Sequence, residues 1–169
     1  MKAHDGEREI VFVNGFMGAG KSTVGAALAK SVGAPFVDLD RVTEALLGES
    51  IAEAIRTRGE SAFREVETRA LVEVVEASRG VVALGGGTLI SAPNRALARS
   101  RGVLVTLKVS EATAARRCAG GADRPLFRAG LLAEREAAYA DADFCVDANE
   151  RSVNEIVDAI VSWLGGRRL

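Results

Sequence analysis

The chain has 169 residues, of which 48% are hydrophobic and 27% are charged, and its formal net charge is −1. This length suits one domain with its own core, and the charge excludes a general basic surface for nucleic acid or membranes. Two cysteines and one histidine are too few for a disulfide framework, a zinc site or a Ser-His-Asp triad, and no apolar run has the length of a membrane span. We therefore expect a cytoplasmic protein with reduced thiols.

Short runs rich in valine and phenylalanine alternate with longer helical stretches. We predict five strands, at about residues 10–13, 35–38, 81–84, 103–108 and 144–146. Helices are predicted at 21–32, 50–58, 60–76, from 93 onward, at 111–118, up to 139 and at 152–164. This alternation with continuous apolar strands predicts a parallel sheet covered by helices on both faces, a three-layer α/β sandwich in a single domain over residues 1–169. Ligands of such sheets bind at the carboxyl ends of the strands.

Two helices are predicted to begin with a capping box, in which a Ser and a Glu three residues later each bond to the other's backbone N–H. The pairs are Ser50 with Glu53 and Ser152 with Glu155. Gly59 is expected to break the first of these helices, because glycine is a poor helix former, and a longer helix follows.

A glycine-rich segment links the first predicted strand to the first predicted helix. Residues 15–23 read Gly-Phe-Met-Gly-Ala-Gly-Lys-Ser-Thr and match the phosphate-loop pattern G-x-x-x-x-G-K-S/T. Glycines let the backbone point its N–H groups at phosphates, and the helix that begins near Lys21 adds the positive end of its dipole. Lys21 can reach the β- and γ-phosphates, and the Ser22 hydroxyl can bind Mg²⁺. An accidental glycine-rich turn is the alternative, but it would not require a strand before it and a helix after it.

Two aspartates, Asp38 and Asp40, close the second predicted strand. Alternation along a strand would place both carboxylates on one side. Asp38 could hold Mg²⁺ through water, and Asp40 could accept a proton or a hydrogen bond from an acceptor hydroxyl. The residues leave open the alternative that Asp40 only caps the next helix.

Two further features could form the acceptor side of a site. Arg64 lies in a predicted helix with Glu67 and Arg69, where a solvated arginine paired along the helix is the usual outcome. Three glycines at 85–87 follow the third predicted strand and leave room for a ligand to touch the backbone, although a loose turn has the same composition. Neither feature indicates a function by itself.

In their order and spacing, these motifs resemble the shikimate kinase family of P-loop kinases over about residues 10–164. The resemblance rests on the phosphate loop, Asp-x-Asp at 38–40, Gly-Glu-x-x-Phe-Arg-x-x-Glu at 59–67, Ala-Leu-Gly-Gly-Gly at 83–87 and Arg-Pro-Leu at 124–126. It implies a P-loop kinase fold around a central five-stranded parallel sheet. The implied reaction is phosphoryl transfer from ATP, with Mg²⁺, to the 3-hydroxyl of shikimate in aromatic amino acid (chorismate) biosynthesis. It further implies a substrate-binding region at about 40–70 and a lid at about 118–130, and we expect the protein to be a monomer.

The resemblance also carries roles to matching residues. The implied catalytic residues are Lys21, Asp40 as candidate base, and Arg124 as a lid arginine that contacts the phosphates. The implied nucleotide ligands are Gly18, Ala19, Gly20, Lys21, Ser22, Thr23, Arg124 and, on the adenine side, Arg117. The implied metal ligands are Ser22 and Asp38. The implied shikimate ligands are Asp40, Gly85, Gly86, Gly87 and two arginines for its carboxylate, Arg64 and Arg135.

The chain departs from the family pattern at two places. The segment between Arg124 and Arg135 looks about eight residues shorter than in the family, and Ile55 stands where the family often has an aromatic residue in the shikimate pocket. A gluconate-type or other small-metabolite kinase is therefore a second hypothesis, which predicts a different acceptor. A third hypothesis is a non-catalytic nucleotide-binding module, which would bind ATP without acceptor-dependent turnover.

Overall fold

Five parallel strands form the centre of the molecule, and the computed structural model describes residues 10–77, 79–119, 126, 128 and 130–165. The strands are β1 (Ile10–Gly15), β2 (Phe36–Asp38), β3 (Gly80–Ala83), β4 (Gly102–Lys108) and β5 (Phe144–Asp147). Their order in the sheet is β2-β3-β1-β4-β5. The helices are α1 (Lys21–Val32), α2 (Leu39–Leu47), α3 (Ile51–Ala77), α4 (Ala92–Arg101), α5 (Glu111–Ala119), α6 (Leu131–Ala140) and α7 (Val153–Leu164), with a 3₁₀ turn at Thr88–Ile90.

Helices cover both faces of this sheet, which explains the continuous apolar strands. All six residues of β1 are buried. On one face, Val11 and Val13 belong to a core cluster with residues of α1 and α7. On the other face, Phe12 belongs to a cluster with residues of α3 and α4. The predicted three-layer α/β sandwich is therefore confirmed.

The segment after β2 differs from the sequence-based expectation. Asp38 ends β2, and its Oδ1 accepts a hydrogen bond from the Asp40 backbone N–H at 3.1 Å, so Asp38 is the N-cap of α2. Asp40 lies in the first turn of this helix. Asp40 therefore does not belong to the strand, so the expectation that strand alternation places both carboxylates on one side is wrong, and so is the alternative that Asp40 is the cap.

The long helix α3 bends where the sequence predicts a break. Gly59 has φ 86° and ψ 166° inside an otherwise helical segment, a backbone conformation that is essentially limited to glycine. The helix resumes at once, so the two predicted helices form one bent element. At its start, the Ser50 hydroxyl accepts the Glu53 N–H at 3.2 Å, while the Glu53 carboxylate pairs with Arg56 at 2.6 Å.

The C-terminal helix α7 begins with the complete capping box that the sequence predicts. The Ser152 hydroxyl accepts the Glu155 N–H, and the Glu155 carboxylate accepts the Ser152 N–H at 2.8 Å. Among the residues that the structure describes, none of the helices combines the length and the apolar character that crossing a membrane requires.

Candidate active site

The candidate site lies at the carboxyl edge of the sheet, where β1, β2 and β3 end side by side. The phosphate loop follows β1, Asp38 and Asp40 follow β2, and the three glycines follow β3. The order of the strands therefore brings together segments that are far apart in the sequence.

The phosphate loop has the geometry that a chain of phosphates requires. Gly18 and Gly20 adopt φ values of 79° and 90°, which favour glycine, and α1 begins immediately afterwards at Lys21. The Lys21 Nζ donates to the Phe16 carbonyl at 3.1 Å, which holds the ammonium group across the loop. A Cβ placed on Gly20 would meet no described atom within 4 Å, so the positive φ value rather than lack of space favours glycine at this position. The loop therefore fits the phosphates of a nucleotide.

A magnesium ion would find few protein ligands at this site. In the part of the chain that the structure describes, no group of three His, Cys, Asp or Glu residues could hold a metal. Ser22 is exposed at the start of α1, and one carboxylate oxygen of Asp38 caps α2. This sparse set fits Mg²⁺, which kinases bind mainly through substrate phosphates and water with one or two protein oxygens.

Beside the phosphate loop lies a cavity of about 440 Å³. It brings together all the residues proposed for the acceptor, namely Asp40, Arg64, Gly85, Gly86, Gly87 and Arg135. Nine further wall residues had no assigned role, namely Met17, Glu44, Ser50, Ile51, Ala52, Arg56, Phe63, Glu67 and Leu126. Ile55 also lines the cavity, at the position where the family often has an aromatic residue.

Arg64 is held in the cavity wall by carboxylates of its own helix. Its Nη1 donates to Glu67 at 2.7 Å, and its Nη2 lies 3.3 Å from Glu60. Glu67 is only 1% exposed, and its second oxygen accepts the Thr88 hydroxyl at 2.7 Å. The pairing along the helix that is usual for a solvated arginine is thus present. Here, however, it orients a guanidinium that faces the cavity.

Two of the three glycines leave room for these side chains. A Cβ at Gly87 would collide with the Arg64 guanidinium. A Cβ at Gly85 would lie 2.5 Å from a Glu67 oxygen and 2.9 Å from an Asp40 oxygen. Glycine is therefore required here so that the arginine and the two carboxylates can approach the backbone.

The second arginine, Arg135, reaches the cavity from α6. Its Nη1 donates to the Gly86 carbonyl at 3.2 Å, beside a hydrogen bond from the Tyr139 hydroxyl. The short segment before α6 therefore does not keep Arg135 away from the other acceptor residues.

Asp40 lines this open cavity, where its side chain is accessible to solvent but crowded by neighbouring protein groups that displace much of its hydration. Burial raises the pKa of Asp40 to about 6, and neighbouring Asp38, Glu67 and Glu44 add to the rise, while the Lys21 ammonium opposes it. A carboxyl with this pKa is ionised at neutral pH and is a stronger base than an ordinary aspartate.

On the nucleotide side, Arg117 joins the phosphate loop to the turn after β5. Its guanidinium donates to the Gly18 carbonyl at 3.3 Å and to the Ala148 and Asn149 carbonyls at 2.8 and 3.1 Å. Arg124 and most of the proposed lid lie outside the described residues. Of that segment, residues 118 and 119 belong to α5, and Leu126 lines the acceptor cavity.

Comparisons with known proteins agree with this arrangement. The family model for shikimate kinase matches residues 17–165. A shikimate kinase from Geobacter metallireducens is 41% identical over 165 residues, which cover 93% of this chain and 92% of the relative. A solved shikimate kinase from Acinetobacter baumannii in complex with shikimate has a TM-score of 0.87 and 29% identity, with 96% of each chain covered.

A more distant solved structure shares the fold alone. It is a gluconokinase from Sinorhizobium meliloti, with a TM-score of 0.56, 22% identity, and coverage of 94% of this chain and 92% of that one. With the family model matching most of the chain, the chain belongs to the shikimate kinase family, whose members use ATP with Mg²⁺.

Proposed function

We propose that this protein transfers the γ-phosphoryl group of ATP to the 3-hydroxyl of shikimate. The observation that carries the proposal is the cavity beside the phosphate loop, which combines one carboxylate of raised pKa with two arginines. Shikimate carries one carboxylate and several hydroxyl groups, and this set of side chains is complementary to both.

The two arginines would fix the position of the acceptor. The planar guanidinium groups of Arg64 and Arg135 suit a carboxylate, which each can bind through two parallel hydrogen bonds. A carboxylate held at this wall, with backbone contacts to Gly85, Gly86 and Gly87, would place the ring hydroxyls toward Asp40. An uncharged sugar of similar size would leave both arginines without a partner and would bind less tightly.

Asp40 would act as the base for the acceptor hydroxyl. With a pKa of about 6, the carboxylate is ionised at neutral pH and can accept the hydroxyl proton as the oxygen attacks. Positioning and charge stabilisation supply most of the catalysis in this class of reaction, so Asp40 has to orient the oxygen as well as receive its proton.

The nucleotide would be held by the phosphate loop through Gly18, Ala19, Gly20, Lys21, Ser22 and Thr23. When bound, ATP with Mg²⁺ supplies the phosphoryl group and a metal charge that balances it, and Ser22 and Asp38 are the proposed protein ligands of the metal. Arg117 would lie near the adenine, and Arg124 would contact the phosphates from the lid at about 118–130.

The lid would also exclude water, which otherwise competes with shikimate as the acceptor. Leu126 already lines the acceptor cavity and could close its apolar side. We further propose that the protein acts as a monomer in the cytoplasm; both cysteines are free in the structure, which fits a reducing compartment. Size-exclusion chromatography with light scattering tests the oligomeric state.

The experiment that tests the function measures ADP release with ATP and Mg²⁺, using shikimate, gluconate or no acceptor. We expect release that depends on shikimate and that falls by about two orders of magnitude or more in Asp40→Asn and Arg64→Ala. Arg69→Ala, on the exposed side of the same helix, is the matched control and should retain the wild-type rate. Release with gluconate alone would favour the second hypothesis, and ATP binding without any acceptor-dependent release would favour the binding module.

A further inference from the structure

Tyr139 contacts both halves of the candidate active site from α6. Its side chain is buried, with 6% of its surface exposed, and its hydroxyl donates to the Gly86 carbonyl at 2.5 Å. The edge of its ring packs against Phe16 of the phosphate loop, with the ring centroids 6.3 Å apart and the planes at 74°. Tyr139 therefore contacts both the phosphate loop and the three-glycine segment at 85–87, which we call the acceptor loop.

The Gly86 peptide is confined between these elements. A Cβ at Gly86 would lie 3.2 Å from the Met17 backbone nitrogen, so the acceptor loop packs directly on the phosphate loop. In a trans peptide the carbonyl and the next N–H point in opposite directions. A hydrogen bond that draws the Gly86 carbonyl toward α6 therefore turns the Gly87 N–H away from α6, and it fixes the orientation of backbone that lines the acceptor cavity.

The Gly86 carbonyl is shared with the second acceptor arginine. Arg135 donates to the same oxygen at 3.2 Å through one of its five N–H groups. A carbonyl has two lone pairs, so both donors can be satisfied at once. The Tyr139 hydroxyl occupies one of them and a single N–H of Arg135 occupies the other, and the Arg135 side chain also hydrogen-bonds to Tyr139 itself.

We propose that Tyr139 is a positioning residue for the acceptor, which holds the Gly86 peptide and thereby sets the position of Arg135. It contacts neither the reacting hydroxyl nor the phosphates, and it acts through Gly86 and Arg135. The proposal rests on the proposed function, since it concerns the binding of the same carboxylate-bearing acceptor. Burial also raises the pKa of Tyr139, which keeps its hydroxyl protonated as a donor at neutral pH.

The first test is Tyr139→Phe, which removes the hydroxyl and keeps the ring against Phe16. Without its main donor, the Gly86 carbonyl would draw Arg135 inward, so we expect the KM for shikimate to rise about tenfold. The KM for ATP should stay within about twofold, because the ring contact with the phosphate loop survives. The control is Ile160→Val in the core of α7. This variant should lose about as much stability as Tyr139→Phe but should change neither KM.

A double-mutant cycle with Arg135→Lys tests the coupling between the two side chains. We expect the effects of Tyr139→Phe and Arg135→Lys on the shikimate KM to be far from additive, because both act through one carbonyl. Additive effects, or an unchanged shikimate KM in an active Tyr139→Phe enzyme, would overturn the proposal. If the wild type itself does not use shikimate, the proposed function fails instead, so the two failures are distinguishable.

A second measurement covers the case in which Tyr139→Phe does not fold. Tyr139 is the chain's only tyrosine, so biosynthetic replacement with difluorotyrosine changes this residue alone while preserving its shape. The fluorinated phenol is more acidic, so it ionises at a lower pH, and a phenolate cannot donate to a carbonyl and would attract Arg135. We expect the shikimate KM of the fluorinated enzyme to rise at alkaline pH where that of the unlabelled enzyme does not. Identical pH profiles would show that the hydroxyl only fills space.

Discussion

At the scale of single residues, the charge state of Asp40 governs the proposed chemistry. Burial raises its pKa to about 6, and only the ionised form can accept the proton of the acceptor hydroxyl. We therefore predict that kcat/KM for shikimate rises with pH through an inflection near 6 and is flat above it. Initial rates at low shikimate over this pH range provide the measurement. A profile with its inflection near the pKa of an unperturbed aspartate would contradict the role of burial.

The same carboxyl is predicted to reduce the stability of the fold. Its pKa is about 6 in the folded state against 3.8 for the unperturbed group, so stability falls as pH rises from 3.8 to 6 and stays lower above that range. Asp40→Asn removes this penalty, and at pH 8 it should stabilise the protein by on the order of 1 kcal/mol, a value reduced for the solvent that reaches the cavity. Urea unfolding at pH 8 and below pH 4 tests this. The gain should disappear at the acid pH, and equal gains at both would argue against it.

The planar shape of Arg64 should matter as much as its charge. Arg64→Lys keeps the positive charge but cannot contact Glu67 and a substrate carboxylate with the same geometry, so the KM for shikimate should rise at least about tenfold. Arg69→Lys on the same helix serves as the control and should leave the KM unchanged. A lysine variant that binds shikimate as well as the wild type would show that a point charge is sufficient.

The sequence predicts which residues line the site better than it predicts what holds them in place. Asp40, Arg64 and Arg135 belong to recognisable motifs, and the structure brings them to one cavity. The contacts of Glu67 with Thr88, and of Tyr139 with Gly86, join segments that are distant in the chain. Such contacts depend on the strand order, so no local pattern shows them, although Glu67 at i+3 from Arg64 was a usable signal.

At the scale of elements, the bend in α3 shapes the acceptor cavity. Ile51 and Ile55 precede Gly59, Phe63 and Arg64 follow it, and all four line the cavity. A Cβ at Gly59 would meet no described atom within 4 Å, so the cost of a side chain there is a backbone cost alone.

Gly59→Ala should therefore destabilise the protein by about 1–3 kcal/mol, because φ 86° with ψ 166° is strongly disfavoured for alanine. It should also raise the KM for shikimate, since straightening the helix moves its two halves apart. Gly48→Ala is the comparison, because Gly48 has φ 74° and ψ 9° in an equally open place, and that region costs alanine less, about 1 kcal/mol. Urea unfolding and steady-state kinetics provide the measurements, and equal effects of the two variants would contradict this account.

Helix α2 was not among the helices predicted from the sequence. The helix has only 9 residues, and its buried stripe consists of Leu39, Thr43 and Leu47, in which a threonine replaces the expected apolar residue. Thr43 is tolerated there because its hydroxyl donates to the Leu39 carbonyl at 2.8 Å. The available signals were the N-cap at Asp38 and Gly48 at the end of the helix.

At the scale of the whole molecule, the parallel sheet could be predicted because its three central strands, β1, β3 and β4, are continuous apolar runs that are buried almost throughout. The predicted lid at about 118–130 lies mostly outside the described residues, so it stays a prediction. The effect of ligand binding on the stability of the whole domain can be predicted without the position of the lid.

Nucleotide binding should stabilise the whole domain. At a concentration of ATP and Mg²⁺ of about 100 times the Kd, the folded state gains about 2.7 kcal/mol, which corresponds to an increase in Tm of about 5–10 °C for a chain of this size. Differential scanning fluorimetry measures the shift, and Lys21→Ala should lose most of it because the loop lysine contacts the phosphates. An undiminished shift in Lys21→Ala would mean that the nucleotide binds elsewhere.

The proposed reaction is tested most directly by identifying its product with ³¹P NMR in a mixture of enzyme, ATP, Mg²⁺ and shikimate. We expect a new phosphomonoester on the 3-hydroxyl of shikimate, formed in equal amounts with ADP, and almost none with Asp40→Asn. Release of ADP accompanied only by inorganic phosphate, or phosphorylation at another hydroxyl, would contradict the proposed orientation of shikimate between the arginines and Asp40.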